Sequence, residues 1–124
     1  MIDGIASIKV LKTFSSEVVD FLQCLHLEIL SDKRSEMYPD LITFSFWCRK
    51  NNILKFKESY NDIDFRIGIG VVLHIAPSNV PLNFAYSLVA GLLAGNINIV
   101  RLSSKEFNQV AILVAAINRL IKNG

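Results

Sequence analysis

The sequence predicts an α/β fold in which N-terminal helices precede a β-α-β-α unit. Two short apolar runs rich in β-branched residues, Val71–Ile75 and 97–102, have the length and composition of strands buried on both faces of a parallel sheet. A helix-length apolar stretch that ends at Ala94 lies between them. Polar residues follow both strands, and open α/β sheets bind their ligands at that edge.

The stretch ahead of the sheet predicts two helices. Ser15 or Ser16 is a good N-cap for the first, which is expected to end near Ser31. The second is expected to begin at 38–40 and to continue through Leu54. The apolar faces are predicted to consist of Val18, Leu22, Leu25 and Ile29 in the first helix, and Leu41, Phe44, Trp47, Cys48 and Leu54 in the second.

The β-α-β-α unit contains recognisable helix start and stop signals. Ser78 or Asn79 is expected to cap the helix between the strands, with Pro81 in its first turn and Gly95 in a left-handed conformation at its end. Ser103 or Ser104 is expected to cap the last helix, over 104–122. Its core-facing side is predicted to carry Phe107, Val110, Val114, Ile117 and Ile121.

Composition excludes several classes of protein. A net charge of +2 over 124 residues is too small to indicate nucleic-acid binding. No apolar run reaches the roughly 18 residues of a membrane span, and the N-terminus lacks the features of a signal peptide. We therefore expect a cytoplasmic protein. Cys24 and Cys48 are too few for a disulfide framework and too far apart for a CxxC metal site, so no metal is expected.

Three features have structural interpretations that compete with functional ones. Cys24 and His26 stand two apart on a predicted helix and so do not face each other, which argues against a catalytic pair. His74 lies within an apolar strand and is interpreted as a satisfied core residue. The glycines of 68–70 precede a strand and lack the third glycine of a dinucleotide fingerprint, so we interpret them as sites of bending or close packing.

The segments 74–80 (HIAPSNV), 92–96 (LLAGN) and 99–104 (IVRLSS), together with 46–50 (FWCRK), carry a family resemblance. They resemble the aldehyde dehydrogenase superfamily and, within it, the LuxC-type fatty acyl-CoA reductases of bacterial bioluminescence. The resemblance implies a Rossmann-like cofactor domain. It also implies NADPH-dependent reduction of a fatty acyl-CoA or acyl-enzyme thioester to a fatty aldehyde.

The resemblance also implies roles for individual residues. Asn79 matches the asparagine that donates to the transient oxyanion, although a plain N-cap is its structural alternative. Arg101 matches the basic residue that reaches the adenosine ribose, although pairing with a carboxylate would also explain it. Ser104 stands where many NAD-preferring members have a glutamate, which favours NADP(H). The implied cofactor-binding residues are Ile75, Ala76, Pro77, Ser78, Arg101, Ser103 and Ser104.

Neither Cys24 nor Cys48 matches the family's nucleophilic cysteine, which lies further along in the reductases. We therefore expect residues 1–124 to form one domain, an incomplete N-terminal, cofactor-binding part of a longer reductase. Expected partners are a fatty acyl thioester, an acyl-protein synthetase and further copies of the chain. The alternatives are a CoA-acylating aldehyde dehydrogenase, an acyl-phosphate reductase, or a non-catalytic fragment that binds partners through apolar faces.

Overall fold

The computed structural model describes residues 11–60, 68, 70–75, 80–102 and 105–123. Helices and a small parallel sheet together form a mixed α/β structure, as predicted. In chain order the elements are α1 (Ser16–Ser31), a 3₁₀ helix (Lys33–Met37), α2 (Pro39–Trp47), α3 (Lys50–Glu58), β1 (Val71–Ile75), α4 (Asn83–Leu93), β2 (Ile97–Arg101) and α5 (Asn108–Asn123).

Helix α1 forms as the sequence predicts. The Ser15 hydroxyl caps it by accepting a hydrogen bond from the Val18 amide at 3.4 Å. The predicted stripe of Val18, Leu22, Leu25 and Ile29 is buried against the other helices. Asp32 then caps the 3₁₀ helix, and its carboxylate accepts hydrogen bonds from the amide and the guanidinium of Arg34.

The sequence predicts one helix here, but the structure contains two, α2 and α3. The backbone is extended at Arg49 and so interrupts the helix. Side chains satisfy the backbone groups that this break exposes. The Gln23 side chain accepts from the Lys50 amide at 2.7 Å, and Asn52 donates to the Trp47 carbonyl at 2.7 Å. The break also resets the helical phase. As a result Ile53 is buried, and the predicted core position Leu54 is 38% exposed.

The two strands pair in parallel, with Val71 opposite Ile97 and Ile75 opposite Arg101. Helix α4 packs on one face of the pair. The other face is uncovered by the residues that the structure describes, so the prediction that both faces are buried is wrong. We call this surface the open sheet face, and it consists of Val71, Leu73, Ile75 and Ile99.

Helix α4 begins later than predicted. Leu82 is its N-cap and Pro81 lies in the turn before it, so neither Ser78 nor Asn79 occupies the cap position. Its end agrees with the sequence, because Gly95 adopts a φ of +87°. A Cβ on Gly68 would overlap the Gly95 carbonyl and lie 2.9 Å from the Asn96 nitrogen. Close packing therefore explains Gly68 without any cofactor.

Helix α5 begins at Asn108, four residues later than predicted, and its buried face is rotated from the predicted one. Ile112, Leu113 and Ala116 enter the core, whereas Ile121 is 66% exposed. The helix packs on α1 and is tied to it by an ion pair between Arg119 and Glu28. Contact with α1, and not with the sheet, therefore sets which side of α5 is buried.

An aromatic cluster joins α2, α3 and α4. Trp47 lies at its centre, with ring centroids 5.0 Å from Tyr86 and 5.7 Å from Phe56. Phe44 completes the cluster with an edge-on contact to Tyr86 at 5.2 Å. Such aromatic pairs contribute about 0.5–1.5 kcal/mol each beyond the area they bury. The cluster therefore holds the two helices of the broken segment against α4.

His26 and Cys24 separate on α1 as the structural interpretation requires: His26 is buried beside the Phe46 ring at 5.1 Å, and Cys24 is exposed. Burial lowers the pKa of His26 below its ordinary value, and the nearby Arg49 adds to the lowering, while a backbone interaction with Ser45 opposes it. The imidazole is therefore buried in its neutral form.

We expect the open sheet face to bind hydrophobic dyes and to drive concentration-dependent association, since contiguous exposed apolar patches do both. Leu73→Glu should reduce both effects. Leu27→Glu is the matched control, because Leu27 is 56% exposed on α1, away from that face. Dye fluorescence and light scattering over a concentration series measure the difference. A monomer that binds no dye, or equal effects of both variants, would contradict this expectation.

Stability is expected to fall as the pH drops below about 6.5, because the unfolded chain then takes up a proton that buried His26 resists. The stabilising contribution of neutral His26 is fully present above that pH, and it is lost as the pH falls toward the lowered pKa of His26 in the folded state. One proton limits the slope to about 1.4 kcal/mol per pH unit. Urea titrations between pH 5 and 8 measure it, and His26→Leu should flatten the profile. An unchanged slope in that variant would refute the assignment.

Candidate functional site

The carboxyl ends of β1 and β2 lie side by side. The predicted site residues at the end of β1 therefore lie next to those at the end of β2. Ile75, the last residue of β1, is the register partner of Arg101, the last residue of β2. Both side chains are exposed. Among the described residues no carboxylate forms an ion pair with Arg101, which leaves its guanidinium accessible to an anion.

Most of the predicted site residues lie outside the described residues. The segment after β1 and the one after β2 continue from Ile75 and from Leu102 into ranges outside the described residues. The assigned roles in this group stay predictions. The residues concerned are Ala76, Pro77, Ser78, Asn79, Ser103 and Ser104.

A cavity of about 400 Å³ opens at the same edge, between the start of α4, the end of β2 and the start of α5. Its wall is mainly apolar, and its volume falls within the range typical of small-molecule sites. Leu102 connects the wall to the end of β2. The other lining residues are Pro81, Phe84, Lys105, Glu106, Phe107, Asn108, Val110, Ala111 and Val114.

The cavity brings together a cation, an anion and two phenyl rings that the sequence did not identify as a site. The Lys105 ammonium lies 5.2 Å from the centroid of the Phe107 ring, and Glu106 lines the wall beside them. The one available signal was the position of these residues just after a strand. Val110 and Val114 line the cavity too, although helical periodicity placed them on the core-facing side of α5.

A second cavity, of about 280 Å³, lies at the opposite end of α4, against the aromatic cluster. Its described lining contains no charged residue. Phe14 borders it and has a φ of +57°, which is rare for a residue with a bulky side chain. The lining consists of Thr13, Phe14, Trp47, Phe56, Tyr60, Ala90, Leu93 and Ala94.

Neither cysteine has the environment of an activated nucleophile. Cys48 is fully buried, and desolvation raises the pKa of its thiol to about 12, so the thiolate is not formed at neutral pH. Cys24 is exposed on α1 and lines neither of the two cavities. The described part of the chain contains no group of three or more histidine, cysteine or acidic residues suited to a metal ion.

In the ranges that the structure covers, no helix is both long and apolar enough to cross a bilayer. No curated protein and no solved structure matches the chain. A sequence model of the family described as Acyl-CoA reductase (LuxC), however, matches residues 7–124. Because this match spans nearly the whole sequence, the chain belongs to the LuxC family of acyl-CoA reductases.

Proposed function

We propose that this chain supplies the oxyanion donor and part of the cofactor site for NADPH-dependent reduction of a fatty acyl-CoA or acyl-enzyme thioester to a fatty aldehyde. The family match over residues 7–124 is the observation that carries the proposal. The parallel β1-α4-β2 unit is consistent with the start of a Rossmann-like domain of the aldehyde dehydrogenase type. We take that domain as part of the proposal.

The oxyanion role is assigned to Asn79. Reduction at an acyl carbonyl passes through negative charge on the carbonyl oxygen, and a side-chain amide at a strand end can donate to it. The competing explanation for Asn79 was a helix cap. That explanation is weakened because Leu82 occupies the cap position of α4, three residues later. We therefore assign the amide of Asn79 to the oxyanion and not to the helix.

The residues at the sheet edge fit a phosphorylated dinucleotide. Arg101 presents an exposed guanidinium at the end of β2, on the side of the sheet away from α4, and Lys105 lies in the wall of the cavity on the α4 side of the same edge. Both are suited to phosphate oxygens. The phenyl rings of Phe84 and Phe107 give the same cavity a flat apolar wall for a base or sugar. Bound there, NADPH would supply the hydride.

The proposed reaction also needs a nucleophilic thiol to accept the acyl group. Buried Cys48 is excluded by its raised pKa, and Cys24 belongs to α1 and does not line the cavity at the sheet edge. We therefore assign the thiol to a cysteine outside these residues, as in a longer reductase of which this chain is the N-terminal, cofactor-binding part. The proposed partners are a fatty acyl thioester, an acyl-protein synthetase and a second copy of the chain.

Asn79→Ala is expected to lower kcat by about 10²–10³ in a form of the reductase that includes the family's cysteine. Cofactor affinity should be unchanged. Asn79→Asp should be slower still, because its carboxylate would face the developing negative charge. Asn83→Ala is the matched control, since Asn83 is an exposed amide in the first turn of α4.

Single-turnover rates with a fatty acyl-CoA measure this effect, and the same assay with an acyl phosphate distinguishes the neighbouring branches of the superfamily. A fully active Asn79→Asp enzyme would end the catalytic assignment. If the enzyme is active only with the acyl phosphate, then the acyl phosphate and not the thioester is the substrate, and the role of Asn79 is unaffected.

Arg101→Ala should weaken NADPH binding by about 10–100-fold, the range for lost hydrogen bonds to a charged group, and NADH binding far less. Ser104→Glu should reverse the preference by repelling the 2′-phosphate. Glu106→Gln should strengthen NADPH binding, because it removes a carboxylate from the cavity wall. Dissociation constants of these variants for NADPH and NADH test the three expectations. Lys122→Ala is the control, because Lys122 is an exposed cation. Equal losses of NADPH and NADH in Arg101→Ala would show that Arg101 does not bind the phosphate.

A further inference from the structure

Beneath α4, two polar side chains join the strands across an otherwise apolar layer. His74 of β1 and Asn98 of β2 face α4, and the His74 Nε2 lies 2.8 Å from the Asn98 Oδ1. The Asn98 Nδ2 donates to the Asn96 carbonyl at 2.8 Å, so Oδ1 is the acceptor in the contact with His74. The His74 Nε2 must therefore carry a proton, and the hydrogen bond has a defined direction.

Gly91 of α4 lies directly over this hydrogen bond. A Cβ at position 91 would overlap the Asn98 Oδ1 and lie 3.1 Å from the His74 Nε2. The missing side chain is thus what allows the helix to pack onto the two polar groups. Together Gly91, His74 and Asn98 form one unit that spans the helix and both strands, which we call the polar lock.

The apolar residues of the strands do not define their pairing uniquely. A parallel pair that slips by two residues keeps every side chain on its original face, because the side-chain period is two. Such a slip would exchange valine, leucine and isoleucine among themselves at little cost. The polar side chains under α4 respond differently to a slip. His74 reaches Asn98 from its position opposite Val100, and a slip removes His74 from that position.

We propose that the polar lock sets the register of β1 and β2, and that His74 and Asn98 are positioning residues for the sheet edge. A slip of two residues would move Arg101 by about 6.6 Å along the strand relative to Ile75, the residue that leads into the segment carrying Asn79. Such a shift is larger than an oxyanion or phosphate site tolerates. The proposal about register is independent of the proposed function. Only the consequence of the register for the cofactor site rests on the proposed function.

Cysteine pairs on the open sheet face report the register without touching the lock. Residues opposite each other in a parallel pair are about 4.8 Å apart, within the span of a disulfide, whereas residues offset by two are about 8 Å apart and outside it. Leu73→Cys with Ile99→Cys reports the observed register. Leu73→Cys with Ile97→Cys, or with Arg101→Cys, reports the two slips. Cys24→Ser removes the exposed native thiol.

His74→Leu is expected to raise the ratio of offset to in-register disulfides by about fivefold, the equilibrium effect of one net hydrogen bond. Asn98→Leu should do the same. His74→Gln, which keeps a donor, should retain the parent ratio. Val72→Ala is the packing control: it removes volume from the α4-facing side of β1 and leaves the lock intact. Oxidised chains are counted by mass spectrometry after proteolysis.

An unchanged ratio in His74→Leu would overturn the proposal, and so would an equal rise in Val72→Ala, which would assign the register to packing. If His74→Leu loses its helical circular dichroism, His74→Gln decides: retention of the 73–99 disulfide supports the lock, and its loss refutes it. The measurement needs no cofactor and no turnover. Its failure is therefore separable from a failure of the reductase assignment.

Discussion

The structure depends first on the burial of one face of α1. Leu22 and Ile29 on that face have no exposed surface, and α2, α3, α4 and α5 all pack against the helix. Truncation of such a residue to alanine typically costs 2–5 kcal/mol, a large part of a small domain's stability. The strands contribute less, because one of their faces is open. The helical layer therefore supports the sheet edge and its candidate site.

Local signals in the sequence were sufficient where neighbouring residues decide the structure. The Ser15 cap, the end of α1, the left-handed Gly95 and both strands follow from residue type and spacing. Long-range contacts decided the rest. The break at Arg49 is stabilised by Gln23 from another helix, and the orientation of α5 follows from packing on α1. No local pattern contains that information. The open sheet face likewise depends on which elements cover the strands.

The candidate site was predictable to a smaller extent. Parallel strands with polar residues after them indicated the edge, and Ile75 and Arg101 do lie side by side there. The adjoining cavity was not foreseen, because Lys105, Glu106 and Phe107 acquire their positions from the late start of α5. His74 is satisfied, as expected of a polar residue inside an apolar strand. Its partner could not be named in advance, since Asn98 reaches it diagonally across the register.

The aromatic cluster at the junction of α2, α3 and α4 gives the chain a built-in optical reporter. Trp47 is the one tryptophan of the sequence, and it is packed between Phe56 and Tyr86. Indole emission shifts with the polarity around the ring, so intrinsic fluorescence records whether Trp47 of α2 stays packed between α3 and α4. Because Tyr86 belongs to the first turn of α4, the same signal reports, without any added label, on the packing of the helix that follows the sheet edge.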